Sequence, residues 1–170
     1  MITFSKIGEY GRLGNQLFQY AAVRALGLEN GYDLLLPDPE TKRWHGQDCL
    51  LKNFSIPDSL FGEASGIQYK AVEEDPYRYD SRFWEIPDDV DLFGFWQSLS
   101  YFDKHQETIK KELTPNEEHM SSASDYLMSL REKHKKPIVS IHIRRGDMLT
   151  EGNEEHYGGL YEPDGEYFSY

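Results

Sequence analysis

A chain of 170 residues with 9 Phe, 12 Tyr and 3 Trp is long enough to bury one core of ordinary domain size. Its formal charge of −12 speaks against a nucleic-acid module, which needs a basic face, and against adhesion to anionic membranes. A single cysteine, Cys49, rules out an internal disulfide or a thiolate zinc set, and no stretch approaches the roughly 20 apolar residues of a membrane span.

The first seven residues, Met-Ile-Thr-Phe-Ser-Lys-Ile, lack the charged lead and apolar core of a signal peptide, so a cytoplasmic protein without a Golgi-type anchor is expected. Residues 2–7 read as a short buried strand. The glycine-rich loop Gly8-Glu-Tyr-Gly-Arg-Leu-Gly-Asn15 follows. Leu17, Phe18, Ala21, Ala22, Ala25 and Leu28 then recur at helical spacing, with Asn15 as the expected N-cap and Asn30-Gly31 as the stop. Asp33–Leu36 reads as a second strand closed by Pro37. A strand, loop, helix and strand in this order predict an α/β fold with a parallel sheet and flanking helices.

Residues 37–90 are rich in proline and aromatic side chains and show little periodicity, so short helices and strands in irregular chain are expected. Cys49 suits a small buried site. Asp91–Trp96 reads as a buried strand. Phe102, Gln106, Ile109 and Leu113 mark an amphipathic helix. Thr114-Pro-Asn-Glu117 has the form of a capping box with Pro at the first helical position. The helix it would open turns Ala123, Leu127 and Leu130 inward and runs to about Lys135. The basic run Lys133–Lys136 at its end complements the helix dipole. Pro137 then introduces a strand, Ile138-Val-Ser-Ile-His-Ile143. Tyr167, Phe168 and Tyr170 hint at another helix beginning, so a chain cut short is expected.

Two segments bear chemistry. In Gly11-Arg-Leu-Gly-Asn-Gln16, glycines let backbone N–H groups approach a ligand at the positive end of a helix, and the amides of Asn15 and Gln16 reach hydroxyls or phosphate oxygens. The same spacing also fits a tight βα turn with an ordinary cap. It is neither a dinucleotide fingerprint nor a phosphate loop. In His142-Ile-Arg-Arg-Gly-Asp147, an apolar strand ends in adjacent arginines, and ligands of α/β proteins gather at strand carboxyl ends. One guanidinium suits a diphosphate and the other an Asp; the plainer alternative is a surface Arg–Asp pair.

Other candidates are weaker. Asp89-Val-Asp91 precedes its strand and reads as a solvated turn rather than a metal pair. His45, His105, His119, His134 and His156 lack metal-ligand spacing, so no metal is expected. Glu73-Glu-Asp75 and Glu154-Glu155 read as solvated faces. Arg145-Gly-Asp147 as an adhesion tripeptide is a chance match.

Taken together, Gly11-Arg-Leu-Gly-Asn-Gln-Leu-Phe-Gln-Tyr-Ala21 and His142-Ile-Arg-Arg-Gly-Asp147 resemble the α-1,2-fucosyltransferase family, glycosyltransferase family 11. Leu50-Leu-Lys-Asn-Phe-Ser-Ile56 and Leu92-Phe-Gly-Phe-Trp-Gln-Ser98 with Tyr101-Phe102 agree, in the same order along the chain. The resemblance implies two Rossmann-like halves in the GT-B arrangement, no metal, no cofactor beyond GDP-fucose as donor, and inversion at the fucose anomeric carbon. It implies an N-terminal, acceptor-side domain over residues 1–136, with residues 137–170 opening a truncated donor-binding half. Arg144 would hold the β-phosphate and offset charge on departing GDP. His142, Arg145 and Asp147 would shape that site. Gly11, Arg12, Gly14, Asn15 and Gln16 would face the cleft, with Asn15 beside Arg144 in the catalytic set. Arg12 and Met148 stand where the family usually has Gly and an aromatic residue, and the family's later motifs are missing. Weak or no activity is therefore expected of the chain alone, acting on GDP-fucose and an oligosaccharide acceptor. Two rivals remain: a non-catalytic glycan-binding domain that kept the fold, and a homo-oligomer completing its site between chains, which would need an exposed apolar face.

Overall fold

The computed structural model describes residues 1–44, 47–63, 69–75 and 78–141. The chain divides into two compact units, Met1–Ser124 and Asp125–Tyr170, and the sheet described here lies in the first.

That sheet is parallel and built from very short pieces. Strand β3 (Lys70–Glu73) pairs in parallel with β4 (Val90–Phe93), with Lys70 opposite Val90 and Glu73 opposite Phe93. Thr3 continues the array beyond β4, its N–H donating to Val90 O at 3.0 Å while Leu92 N donates to Thr3 O at 2.9 Å. Ile2 bridges Leu34 and Leu36 bridges Phe61, both in parallel. The order across the array is therefore Phe61, 34–36, 2–3, β4, β3. The expected strand at 2–7 is only two residues wide, because residues 5–9 turn away. The expected strand at 91–96 stops at Phe93, because Gly94 (φ 142°) and Trp96 (φ 54°) leave extended geometry. A separate antiparallel pair, β1 (Arg43–Trp44) and β2 (Gln47–Asp48), lies in the irregular region, where short 3-10 turns also fall as expected.

Helix α1 (Leu13–Asn30) crosses from the first strand to the second. Its stop is the one expected: Gly31 is left-handed at φ 70°. Its start is not. Arg12 is the N-cap and Asn15 lies inside the first turn, because Gln16 N already donates to Arg12 O at 3.0 Å. Buried residues occur on more than one side of α1. Tyr20, Ala22, Val23 and Leu26 join the main core with Ile2, Phe4, Leu34 and Leu92. Ala21 and Ala25 pack with Ile109 of α2 (Gln106–Glu112). Between them runs a buried polar tie: Tyr20 Oη donates to Glu112 at 2.7 Å, and Arg24 donates to the same carboxylate through Nε and Nη2. Cys49 is buried, as expected, and burial pushes its thiol up.

Helix α3 (Glu117–His134) opens later than the capping-box reading places it. Pro115 bridges Phe54 antiparallel, and Asn116 N donates to Asn53 O at 2.9 Å, so residues 114–116 are held as extended chain. Asn116 becomes the cap, its Oδ1 accepting from His119 N at 3.4 Å. None of the α3 residues is buried; Ala123 and Leu127 are exposed and Leu130 is half-buried, against the expected inward face. Glu117 and Glu118 in the first turn and Arg131, Lys133 and His134 in the last offset the dipole locally.

Residues 138–141 form no strand, and Val139 and Ile141 are 80% and 74% exposed. A strand exists only where a neighbour takes its backbone groups, and among the described residues none does. His142, Ile143, Arg144, Arg145, Asp147, Met148, His45, His156, Glu154, Glu155 and residues 161–170 lie outside the described residues.

Candidate functional site

The turn after the first strand is folded on itself by its glycines. Gly8 has φ 77°, and a Cβ there would meet Cys49 Cβ at 2.6 Å. Gly11 has φ 95°, and a Cβ there would sit 2.3 Å from Asn15 Nδ2. Both glycines serve close approaches within the chain. Gly14, exposed in the first turn of α1, has nothing within 4 Å of an added Cβ.

The two amides of this loop have different duties. Gln16, 1% exposed, donates to Gly11 O at 3.3 Å and accepts from Leu50 N at 3.1 Å, so its amide is committed to holding backbone. Asn15 is half-buried, and its Oδ1 accepts from Gln97 Nε2 at 2.5 Å. That bond ties the glycine loop to the segment following β4. Arg12 is exposed at the helix start, and no acidic residue stands in the first turn of α1.

Where β3, β4 and the first strand all end, a cavity of about 680 Å³ opens. One wall is aromatic: Tyr10 stacks on Phe95 at 4.5 Å and meets Phe93 at 5.0 Å. Tyr79 and Tyr101, 5.0 Å apart, form another part of the lining. The Tyr101 hydroxyl donates to Arg78 O and accepts from Asp80 N, each at 3.2 Å, which fixes the chain leaving β3. Beneath the cavity, buried Gln19 donates to Tyr10 O at 2.9 Å and Gly94 O at 3.0 Å.

Two neighbouring carboxylates in the lining behave oppositely. Glu74 is half-buried, and its Oε2 accepts from Phe95 N at 2.8 Å and Trp96 N at 2.7 Å. It thereby holds Trp96 in its left-handed conformation. Gly94 beside it has no room for a side chain, since a Cβ would lie 2.5 Å from Glu74 Cβ. The solvated face expected for residues 73–75 is thus overturned at Glu74. Glu73, the last residue of β3, is exposed and lines the cavity. Among the described residues, neither its carboxylate nor the Arg78 guanidinium has a hydrogen-bond or ion-pair partner.

The Asp89-Val-Asp91 pair is also split. Asp89 is an exposed turn residue at φ 59°, as expected, but Asp91 accepts from Ser5 N at 2.8 Å and Ser5 Oγ at 2.6 Å. Among the described residues, no group of three or more His, Cys, Asp or Glu side chains is placed to hold a metal. No described helix is long and apolar enough to cross a membrane.

The cavity lining includes none of residues 11–16; the glycine loop contributes Tyr10 and reaches the far wall through Asn15 and Gln97. Tyr10, Glu73, Arg78, Tyr79 and Gln97 were not singled out for chemistry by sequence. Their common signal is position at or after the carboxyl end of a parallel strand.

No protein-family model matches the chain, and no solved structure matches it. Curated relatives do. The chain is 28% identical to galactoside α-(1,2)-fucosyltransferase 2 of Oryctolagus cuniculus over 146 residues, covering 84% of this chain and 40% of the relative. It is 29% identical to the protein of the same name from Sus scrofa, covering 84% of this chain and 42% of the relative. It is 26% identical to an α-1,2-colitosyltransferase of Escherichia coli, covering 82% and 53% respectively. These relatives bear out the resemblance to the α-1,2-fucosyltransferase family, and the chain spans about 40% of the length of the mammalian ones.

Proposed function

We propose, from the likeness of 84% of this chain to α-1,2-fucosyltransferases, that it is the acceptor-side portion of an inverting glycosyltransferase with a GT-B arrangement. The reaction moves L-fucose from GDP-fucose to a sugar hydroxyl, without a metal or further cofactor. The relatives' name makes a galactoside the first acceptor to try. The acceptor hydroxyl gives up its proton to a base or to water as its oxygen bonds to the fucose anomeric carbon from the face opposite the leaving group. The bond from that carbon to the phosphate oxygen breaks, and its electron pair leaves with GDP.

Charge therefore builds on the β-phosphate, and a preorganised guanidinium there lowers the barrier. Arg144 takes this role, His142, Arg145 and Asp147 shape the diphosphate site, and residues 137–170 open the donor-binding half. Gly11, Arg12, Gly14, Asn15 and Gln16 belong to the loop at the start of α1, whose first turn carries no acidic residue and so suits an anionic donor. By the same family resemblance, Asn15 is assigned with Arg144 to the reacting set.

The observation that carries this reading is collinear sequence likeness through both outer motifs. The test is calorimetric titration of GDP and GDP-fucose into the wild-type chain and Arg144→Ala. Donor binding lost on substitution supports the transferase; glycan binding with no nucleotide binding supports the non-catalytic glycan-binding domain instead. Turnover by the 170-residue chain alone is expected to be weak or nil, and brisk turnover would refute that part.

A further inference from the structure

We propose that the cavity at the strand ends is a saccharide subsite, in which a neutral pyranose ring lies on the aromatic wall and Glu73 and Arg78 bind its hydroxyls. The inference rests on the transferase reading and adds to it the residues that receive the sugar.

Three properties of the lining select the ligand class. The first is size, since about 680 Å³ admits one or two sugar rings. The second is the wall of Tyr10, Phe93 and Phe95, which offers continuous ring surface to an apolar C–H face. The third is charge of both signs in one lining. Glu73 and Glu74 repel a phosphate, so the cavity is not where a nucleotide diphosphate docks. Arg78 repels an ammonium ion, which an aromatic wall with carboxylates would otherwise attract. A ligand that is neutral, that both donates and accepts, and that has one apolar face satisfies all three conditions.

The two carboxylates divide the work. Glu74 spends Oε2 on the N–H groups of Phe95 and Trp96 and so fixes the wall that carries Phe95. Glu73 has no protein partner among the described residues and is the acceptor left for ligand hydroxyls. Gln97 also lines the cavity, and its amide is bonded to Asn15 of the glycine loop. A sugar seated here therefore lies one residue contact from the loop assigned to the cleft.

The test follows backbone amide shifts of the full 170-residue chain during titration with methyl β-galactopyranoside, tetramethylammonium and inorganic phosphate. The expected result is saturable shifts with the pyranoside alone, centred on Tyr10, Glu73, Gly94 and Gln97. Glu73→Gln and Arg78→Ala should each weaken that binding about tenfold. Both side chains are exposed and unbonded within the described residues, so these variants keep the fold. No saturable pyranoside shift, equal binding in both variants, or saturation by the cation or phosphate instead would overturn the proposal. GDP binding that depends on Arg144 with no pyranoside response sinks this inference and leaves the transferase reading standing. Pyranoside binding here without GDP binding does the reverse.

Discussion

Gly11 and Gly14 stand three residues apart in one loop, and their environments demand different things. Gly11 is left-handed and lies under the Asn15 side chain. Gly11→Ala should destabilise the protein by at least about 1–2 kcal/mol, from left-handed strain alone. Gly14 lies within α1 with open space around it, so Gly14→Ala should leave stability unchanged or raise it by up to about 1 kcal/mol. Urea unfolding of the two variants checks the contrast. If Gly14→Ala also weakens GDP binding while stabilising the fold, the space over Gly14 is used by the donor rather than by the protein. The same scale shows what sequence could not tell about side chains. Gln16 and Asn15 look equivalent as amides, yet Gln16 is spent on Gly11 and Leu50, and only Asn15 reaches toward the cavity wall. Glu74 looks like one more surface acid until the chain at Phe95 and Trp96, remote in sequence, returns to meet it.

Among elements, α1 and α2 are joined by one buried carboxylate. Glu112 accepts from Tyr20 and from two nitrogens of Arg24, and removing it leaves a guanidinium and a phenol without their acceptor. Glu112→Ala should cost about 3–5 kcal/mol, measured by urea unfolding. Burial, and then the bond to Glu112, pushes the Tyr20 phenol up, so it remains a donor across the working pH range. The glycine loop is tied to the irregular region by Glu9, which lies 2.5 Å from Lys42 and 3.0 Å from Lys6. The Lys42 hydrogen bond holds the Glu9 carboxyl below its ordinary value, against burial. A folded value depressed below the unfolded one gives stability that is present above the ordinary carboxylate range and lost as pH falls through the folded value. Unfolding midpoints should therefore fall on acidification from about pH 5 downward, less steeply in Glu9→Gln. Elements fixed by neighbouring residues were legible in the sequence. The end of α1 at Gly31 needs only a left-handed residue, so Asn30-Gly31 made it legible. The start of α3 was not, because residues 53–55 capture 114–116 as extended chain, a pairing between remote segments that no local pattern announces.

At the scale of the molecule, the parallel α/β arrangement of Met1–Ser124 follows from a strand, a glycine turn, a helix and a second strand in that order. The strands themselves were harder to bound, since the array is assembled from pieces as short as one bridge, too brief for alternation to show. The expected strand over 138–143 depended on neighbours, and residues 138–141 have none among the described residues. The cavity was invisible in sequence for a related reason. Tyr10, Glu73 with Arg78, and Gln97 come from three segments remote in sequence that meet only because three strands end at the same edge. The transferase reading, in contrast, depends on motifs in linear order and on relatives similar over 84% of the chain at 28–29% identity.

The most direct measurement is a thermal melt of the chain and of Arg144→Ala, in EDTA, with and without GDP. A ligand that binds only the folded state adds about 2.7 kcal/mol at roughly one hundred times its dissociation constant. GDP should raise the wild-type melting temperature by several degrees despite EDTA and leave Arg144→Ala unmoved. A wild-type melt indifferent to GDP, or an equal rise in both proteins, would contradict it.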